Sequence, residues 1–174
     1  MSRLTIAIPT FRRPEDLTRA VSGVLDQAGE LVDGLSAEAC DPEGDAAGAT
    51  DTGRTAGETV SDVEVLVIDN DAQGSGREAA LSAAAAAGVP VRTPSEDRVE
   101  PGGVSVRYVV EERPGVAAVR NRALDETTER DLLIFIDDDE DPEPGWLAAL
   151  VGMWATTGCQ AVAGPVIPVY EVEP

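Results

Sequence analysis

Five consecutive acids, Asp137, Asp138, Asp139, Glu140 and Asp141, follow directly on an apolar run at residues 132–136. Two carboxylates about 4 Å apart repel by about 4 kcal/mol at an effective dielectric of 20. A divalent cation with oxygen preference reverses that sign, so the chemistry these residues suit is the holding of a hard metal ion. A bare acidic run is about as often a solvated turn. This one contains no Lys or Arg and leaves an apolar segment instead of lying within a polar loop, which favours a site. A calcium-loop reading of Asp137, Asp139 and Asp141 fails, because the sixth position is Pro142 where such a loop needs Gly, and the twelfth is Ala148.

The basic inventory removes many alternatives. All thirteen basic residues are arginine, against thirty-three acids, for a net charge of -20 with neither lysine nor histidine. Ser-His-Asp and Cys-His catalysis, P-loop nucleotide hydrolysis, Schiff-base chemistry and zincin sites each need a His or a Lys. Haloacid-dehalogenase-type phosphatases and response-regulator receivers place aspartates at strand ends but also need a lysine. Nucleic-acid binding is opposed by the acidic field, and an anionic ligand fits only where a metal or clustered Arg inverts the local potential. Cys40 and Cys159 have no CxxC spacing and no histidine partner, so both are expected as free thiols.

Elements must bring the acids to a useful place. An unbroken apolar run such as LLIFI predicts a strand buried on both faces, in the centre of a parallel α/β sheet. In such sheets ligands bind outside the carboxyl ends of the strands, where the acids then lie. Residues 4–9 (LTIAIP) predict a first strand, inserted centrally, and Pro14 starts a helix whose Leu17, Val21, Val24 and Leu25 form one stripe to about Gln27. Residues 28–62 lose periodicity and read as an acidic surface insertion, with a second insertion at about 93–104. Residues 63–68 (VEVLVI) predict a second strand ending at Asp69, Asn70 and Asp71, followed by a helix capped by Ser75 and stopped by Gly88. Residues 105–110 (SVRYVV) predict a third, and Val116, Val119, Ala123 and Leu124 stripe a helix that turns Arg120 and Asn121 toward the sheet's carboxyl edge. Pro144 starts a helix burying Leu147, Leu150, Val151 and Trp154, and residues 161–169 (AVAGPVIPV) predict a proline-interrupted edge strand. At 174 residues this is one domain or part of a larger one. No apolar run approaches 18 residues and no secretory pattern opens the chain, so it is expected in the cytoplasm.

Read together, IPTFRRP, VIDNDAQGS, ERPGVAAVRNRAL, FIDDDEDPEPGWL and GPVIPVYE resemble the nucleotide-sugar half of a family 2 glycosyltransferase. The DNDA and DDDE-PEPGWL variants are similar to those of bacterial exopolysaccharide transferases of the succinoglycan type. The resemblance implies a GT-A, Rossmann-like fold with a mainly parallel central sheet and helices on both faces. It implies transfer of a sugar from a nucleoside diphosphate, with uridine the expected base, to a glycan or lipid-linked acceptor. Pro9, Thr10 and Arg12 match the loop that lines the nucleoside pocket, and Asp69, with Asp71 nearby, matches the acid that holds the base. Arg120 and Asn121 match the pair beside the sugar diphosphate. Asp137 and Asp139 match the DxD pair, with Asp139 the direct ligand of Mn or Mg and Asp138 counted with the nucleotide-binding set. A divalent ion there would stabilise charge developing on the leaving phosphate.

In that family the acceptor half and the general base lie beyond the GPV strand, and neither Glu171 nor Glu173 matches the base motif. The expectation is therefore a donor-binding part of a transferase, truncated or completed by another polypeptide, with no general base of its own. A non-catalytic nucleotide- and metal-binding fragment or partner subunit is the alternative. Peripheral association with the inner face of the membrane and homo-oligomerisation are both compatible with the resemblance.

Overall fold

A computed structural model describes residues 2–34, 60–92 and 103–169. Cys40, Glu171, Glu173 and most of both acidic insertions lie outside the described residues. Strands β1 (Ser2–Thr10), β2 (Val60–Asp69), β3 (Val91–Arg92), β4 (Gly103–Val110) and β5 (Leu132–Phe135) form one sheet in the order β3-β4-β2-β1-β5. Every pairing is parallel. Helices α1 (Pro14–Gly34), α2 (Arg77–Ala86), α3 (Val116–Glu126) and α4 (Trp146–Thr157) complete the domain.

Period-two alternation explains how the faces are covered. Leu4, Ile6 and Ile8 of β1 join Val63, Val65 and Val67 of β2 and Val106 and Tyr108 of β4 on one face, under α1, α2 and α4. Each fully buried Leu, Ile or Val there contributes about 1.5–3 kcal/mol over an exposed one. Ala7, Leu66, Ile68 and Val109 occupy the other face with Val119 and Ala123 of α3. Nearer the strands' amino ends this second face turns ionic. Asp62 and Glu64 of β2 meet Arg92 of β3, Arg107 of β4 and Arg130, and Arg107 also pairs with Glu126 of α3. Their side chains are 5–21% exposed. Arginine suits this place because its fork can grip two carboxylates at once.

Several expectations are corrected. The LLIFI strand is not central: β5 is the outermost strand among the described residues, Leu132 to Ile134 are only half-buried, and Phe135 is exposed. An apolar run shows that side chains find cover, here against the core clusters on the two faces of the sheet, and does not say on how many sides a strand is paired. Helix α1 runs past Gln27 to Gly34, because Ala28 and Leu31 extend its buried stripe. The short strand β3 lies just before the second insertion and carries too few residues to show a period. The cap of α2 is Gly76, not Ser75, and α4 begins at Trp146 after a left-handed Gly145 rather than at Pro144. Of the α3 stripe only Val119 and Ala123 are buried, while Val116 and Leu124 are exposed. Residues 161–169 form no strand, as Pro165 and Pro168 deprive the backbone of two donors. Cys159 is a free thiol, and Trp154 is buried core.

Candidate nucleotide-sugar and metal site

Strand order reverses about β1, with β2 and β4 to one side and β5 to the other, so the switch point, where sheets of this kind form a ligand crevice, lies at the carboxyl ends of β1 and β5. Three loops border it, at residues 10–13, 69–76 and 136–145. They are tied together by hydrogen bonds. Thr10 Oγ1 donates to Asp138 Oδ2 at 2.7 Å, and Asn70 N–H donates to the Thr10 carbonyl at 2.9 Å.

The acidic run does not continue as extended chain. The Glu140 N–H donates to the Asp137 carbonyl at 3.2 Å, closing a turn, and the Glu140 carboxylate accepts the Asp137 N–H at 3.1 Å. The alternation of an extended strand therefore does not place Asp137 and Asp139. The turn nevertheless sends Asp138 inward, where it is 7% exposed, and leaves the side chains of Asp137 and Asp139 more than half exposed. Burial pushes the Asp138 carboxyl above its ordinary value, against the lowering effect of the Thr10 hydroxyl and of Arg13.

Arginines from other elements answer the acids. Arg13 Nη1 stands 2.6 Å from Asp139 and 3.5 Å from Asp138, Arg19 is 2.7 Å from Asp141, and Arg120 is 3.9 Å from Asp137. Arg120 also lies over the Phe135 ring at 5.9 Å. In the same loop as Arg13, Arg12 Nε donates to Asp71 at 3.1 Å and holds that carboxyl below its ordinary value, helped by the Gln73 N–H. Arg12 has φ 57, a left-handed conformation that a non-glycine residue adopts only when its surroundings hold it.

Asp69 differs from what the resemblance implies. It is fully buried, with Oδ1 accepting the Asp71 N–H at 2.8 Å and Oδ2 accepting the Gly76 N–H at 2.7 Å and the Tyr108 hydroxyl at 2.6 Å. A carboxylate with three internal donors and no exposure organises its loop and does not itself reach a base. Asn70 works similarly: its Nδ2 donates to the Glu111 and Arg113 carbonyls, and its Oδ1 accepts the Gly115 N–H.

The model for "Glycosyl transferase family 2" matches residues 5–173, across all of these loops. The chain belongs to glycosyl transferase family 2. Succinoglycan biosynthesis protein ExoM of Rhizobium meliloti (strain 1021) is 35% identical over 104 residues, which are 60% of this chain and 28% of that protein. This family 2 chain thus spans little more than a quarter of the curated relative it matches. No helix among its described residues is long and apolar enough to cross a membrane.

Of the residues picked out in the sequence, Thr10, Arg12, Asp71, Arg120, Asp137, Asp138 and Asp139 all border the crevice. Pro9 lies in β1 opposite Ile68 and offers no polar group, and Asn121 is exposed with no side-chain contact to the acids among the described residues. Sequence reasoning gave no role to Arg13, Asn70 or Tyr108, nor to Phe11, whose exposed ring Arg12 covers at 5.0 Å. Arg13 stands inside IPTFRRP beside Arg12, and the acids' need of a counter-charge was the available signal. Nothing in SVRYVV points Tyr108 at Asp69.

The donor set fits a hard divalent ion in kind, being carboxylate oxygen throughout. Among the described residues no three acid, His or Cys side chains converge into a ligand cluster. Magnesium-like sites commonly use one or two carboxylates with substrate phosphates and waters completing the shell, so Asp137 and Asp139 suffice for that class.

Proposed function

We propose that this family 2 chain binds a nucleoside-diphosphate sugar, with uridine as the base, and takes part in transferring its sugar to a glycan or lipid-linked acceptor, with Mn or Mg bound. The observation that carries the reading is the arrangement at the switch point, where exposed Asp137 and Asp139 stand within reach of Arg13 and Arg120, with Phe11 and Arg12 in the same loop as Arg13. Asp139 and Asp137 would hold the ion. When bound, the ion supplies Lewis-acid stabilisation of charge on the leaving diphosphate.

The chain's own residues orient the donor. Arg13 and Arg120 each have a planar fork suited to phosphate oxygens, and neither is buried, so both can leave a carboxylate for a phosphate. Phe11 presents an exposed ring for a base to stack on, and Arg12 is fixed beside it by Asp71. No described carboxylate is assigned as general base. The printed name of the Rhizobium meliloti relative, a succinoglycan biosynthesis protein, supports an exopolysaccharide intermediate as acceptor.

Calorimetric titration of uridine diphosphate with Mn or Mg, and again with chelator, tests the reading. Binding is expected only with the ion, since the exposed Asp137 and Asp139 carboxylates otherwise repel the ligand's phosphates. Equal affinity in both conditions would remove the metal from the site.

A further inference from the structure

The loop at residues 69–76 is gripped from inside by the Asp69 carboxylate, and the carboxylate is gripped in turn by a phenol from the neighbouring strand. We propose that Tyr108 is a positioning residue of the nucleoside pocket, acting through Asp69; this rests on the donor-site reading above. Tyr108 sits in β4 opposite Val67, is 7% exposed, and packs within the main apolar cluster. Phenylalanine would serve that packing equally well. The hydroxyl is what requires explanation, because a buried phenol is unfavourable unless bonded.

Its bond reaches the crevice in three steps. Tyr108 Oη donates to Asp69 Oδ2 at 2.6 Å. Asp69 also receives the Gly76 N–H on Oδ2 and the Asp71 N–H on Oδ1, so both ends of the loop close on one anion. Asp71 then pairs with Arg12, the left-handed residue beside the exposed Phe11. The loop lies directly over the phenol: a Cβ placed on Gly74 would stand 3.3 Å from Tyr108 Oη, and the Arg77 guanidinium covers the ring at 4.9 Å. Burial first, and the Asp69 carboxylate second, raise the phenol's pKa, so it remains a donor at any ordinary pH. Without the hydroxyl, Asp69 would keep two amide donors but lose the one that comes from the rigid sheet. The Asp69 carboxylate would then be held only by amides of its own loop, and Asp71 and Arg12 would be placed less firmly.

Tyr108→Phe keeps the packing and removes only the hydroxyl. With Mn present, uridine diphosphate should bind roughly tenfold more weakly to the variant, while inorganic pyrophosphate, which needs only the acids and Arg13 and Arg120, should bind within about twofold of wild type. Amide hydrogen exchange at Asp71 and Gly76 should accelerate. Unchanged uridine diphosphate affinity, or equal loss of both probes, would overturn the positioning role while leaving the donor site intact. A wild type that binds neither probe would overturn the donor-site reading and this proposal with it.

Discussion

Replacing Asp138 tests how the crevice is built. From the sequence, Asp138→Asn is expected to matter little, since Asp138 points away from the pair formed by Asp137 and Asp139. The structure shows that Asp138 points inward and accepts the Thr10 hydroxyl at 2.7 Å, joining the end of β5 to the loop after β1. Asp138→Ala leaves that hydroxyl without its acceptor. A buried donor so stranded costs about 1–3 kcal/mol, and removing a carboxylate whose charge is disfavoured by burial offsets part of this, leaving about 1–2 kcal/mol. The half-exposed, solvent-screened contact with Arg13 adds little. Asp138→Asn keeps one oxygen acceptor and should cost about 1 kcal/mol. With a urea slope of roughly 2 kcal/mol per molar, the alanine variant should unfold at a midpoint lower by about 0.5–1 M. Because the Asp138 pKa is raised from 3.8, the stability given by its protonated form is complete below 3.8 and is lost as pH climbs through the folded value. The gap between wild type and the non-ionising Asn variant should therefore shift across that window and be level above it. If Asp138→Ala moved the midpoint by less than about 0.3 M, or if the half-exposed Asp139→Asn cost as much, Asp138 would not be the tie described here.

Two further perturbations act away from the acids. Glu64→Gln leaves the guanidinium groups of Arg92, Arg107 and Arg130 short of a buried counter-charge and should cost about 3 kcal/mol in urea unfolding, with metal-dependent nucleotide affinity unchanged. Adding Arg107→Gln should recover part of that loss, and strict additivity would argue against coupling. Glu111 is pulled from an ordinary 4.5 down to about 2, chiefly by the Arg113 side chain, then by its backbone N–H. As a depressed carboxylate it contributes stability that is complete above 4.5 and lost as pH falls toward about 2. In an acid-unfolding titration Glu111→Gln should flatten that part of the profile, and an unchanged profile would show that the pair with Arg113 does not stabilise the fold.

Strand and helix identities were largely legible because β1, β2 and α1 carry clean periods. Positions in the sheet were less so. Leu132 to Ile136 looked central because an apolar run records burial, whereas pairing on two sides is a property of the neighbours. The site followed the same division. Residue types at strand ends announced Asp71, Arg120 and the aspartates, since carboxylates and arginines placed together imply anion or metal chemistry. Asp69 and Tyr108 were illegible in their roles, because a 39-residue separation hides a hydrogen bond that only the register of β2 against β4 creates. The turn at 137–140 was missed for a related reason: whether Asp138 faces in or out depends on a backbone bond within the acidic run itself.

The position of β1 bears on how the molecule is made. Of its two partners β2 follows within the first 69 residues, whereas β5 comes far later, and the pairing of Leu4 with Leu132 spans 128 residues. At ribosomal rates of about 5–20 residues per second, one edge of β1 waits roughly 6–25 seconds after its emergence before β5 exists to cover it. During that interval Leu4, Ile6 and Ile8 present a flat, uncharged template of the kind that invites pairing with another nascent chain. The crevice cannot exist earlier, because Thr10 meets Asp138 only when β5 docks. Partial unfolding that peels β5 away would dismantle the crevice first, so bound nucleotide would protect the youngest strand more than any other part of the sheet.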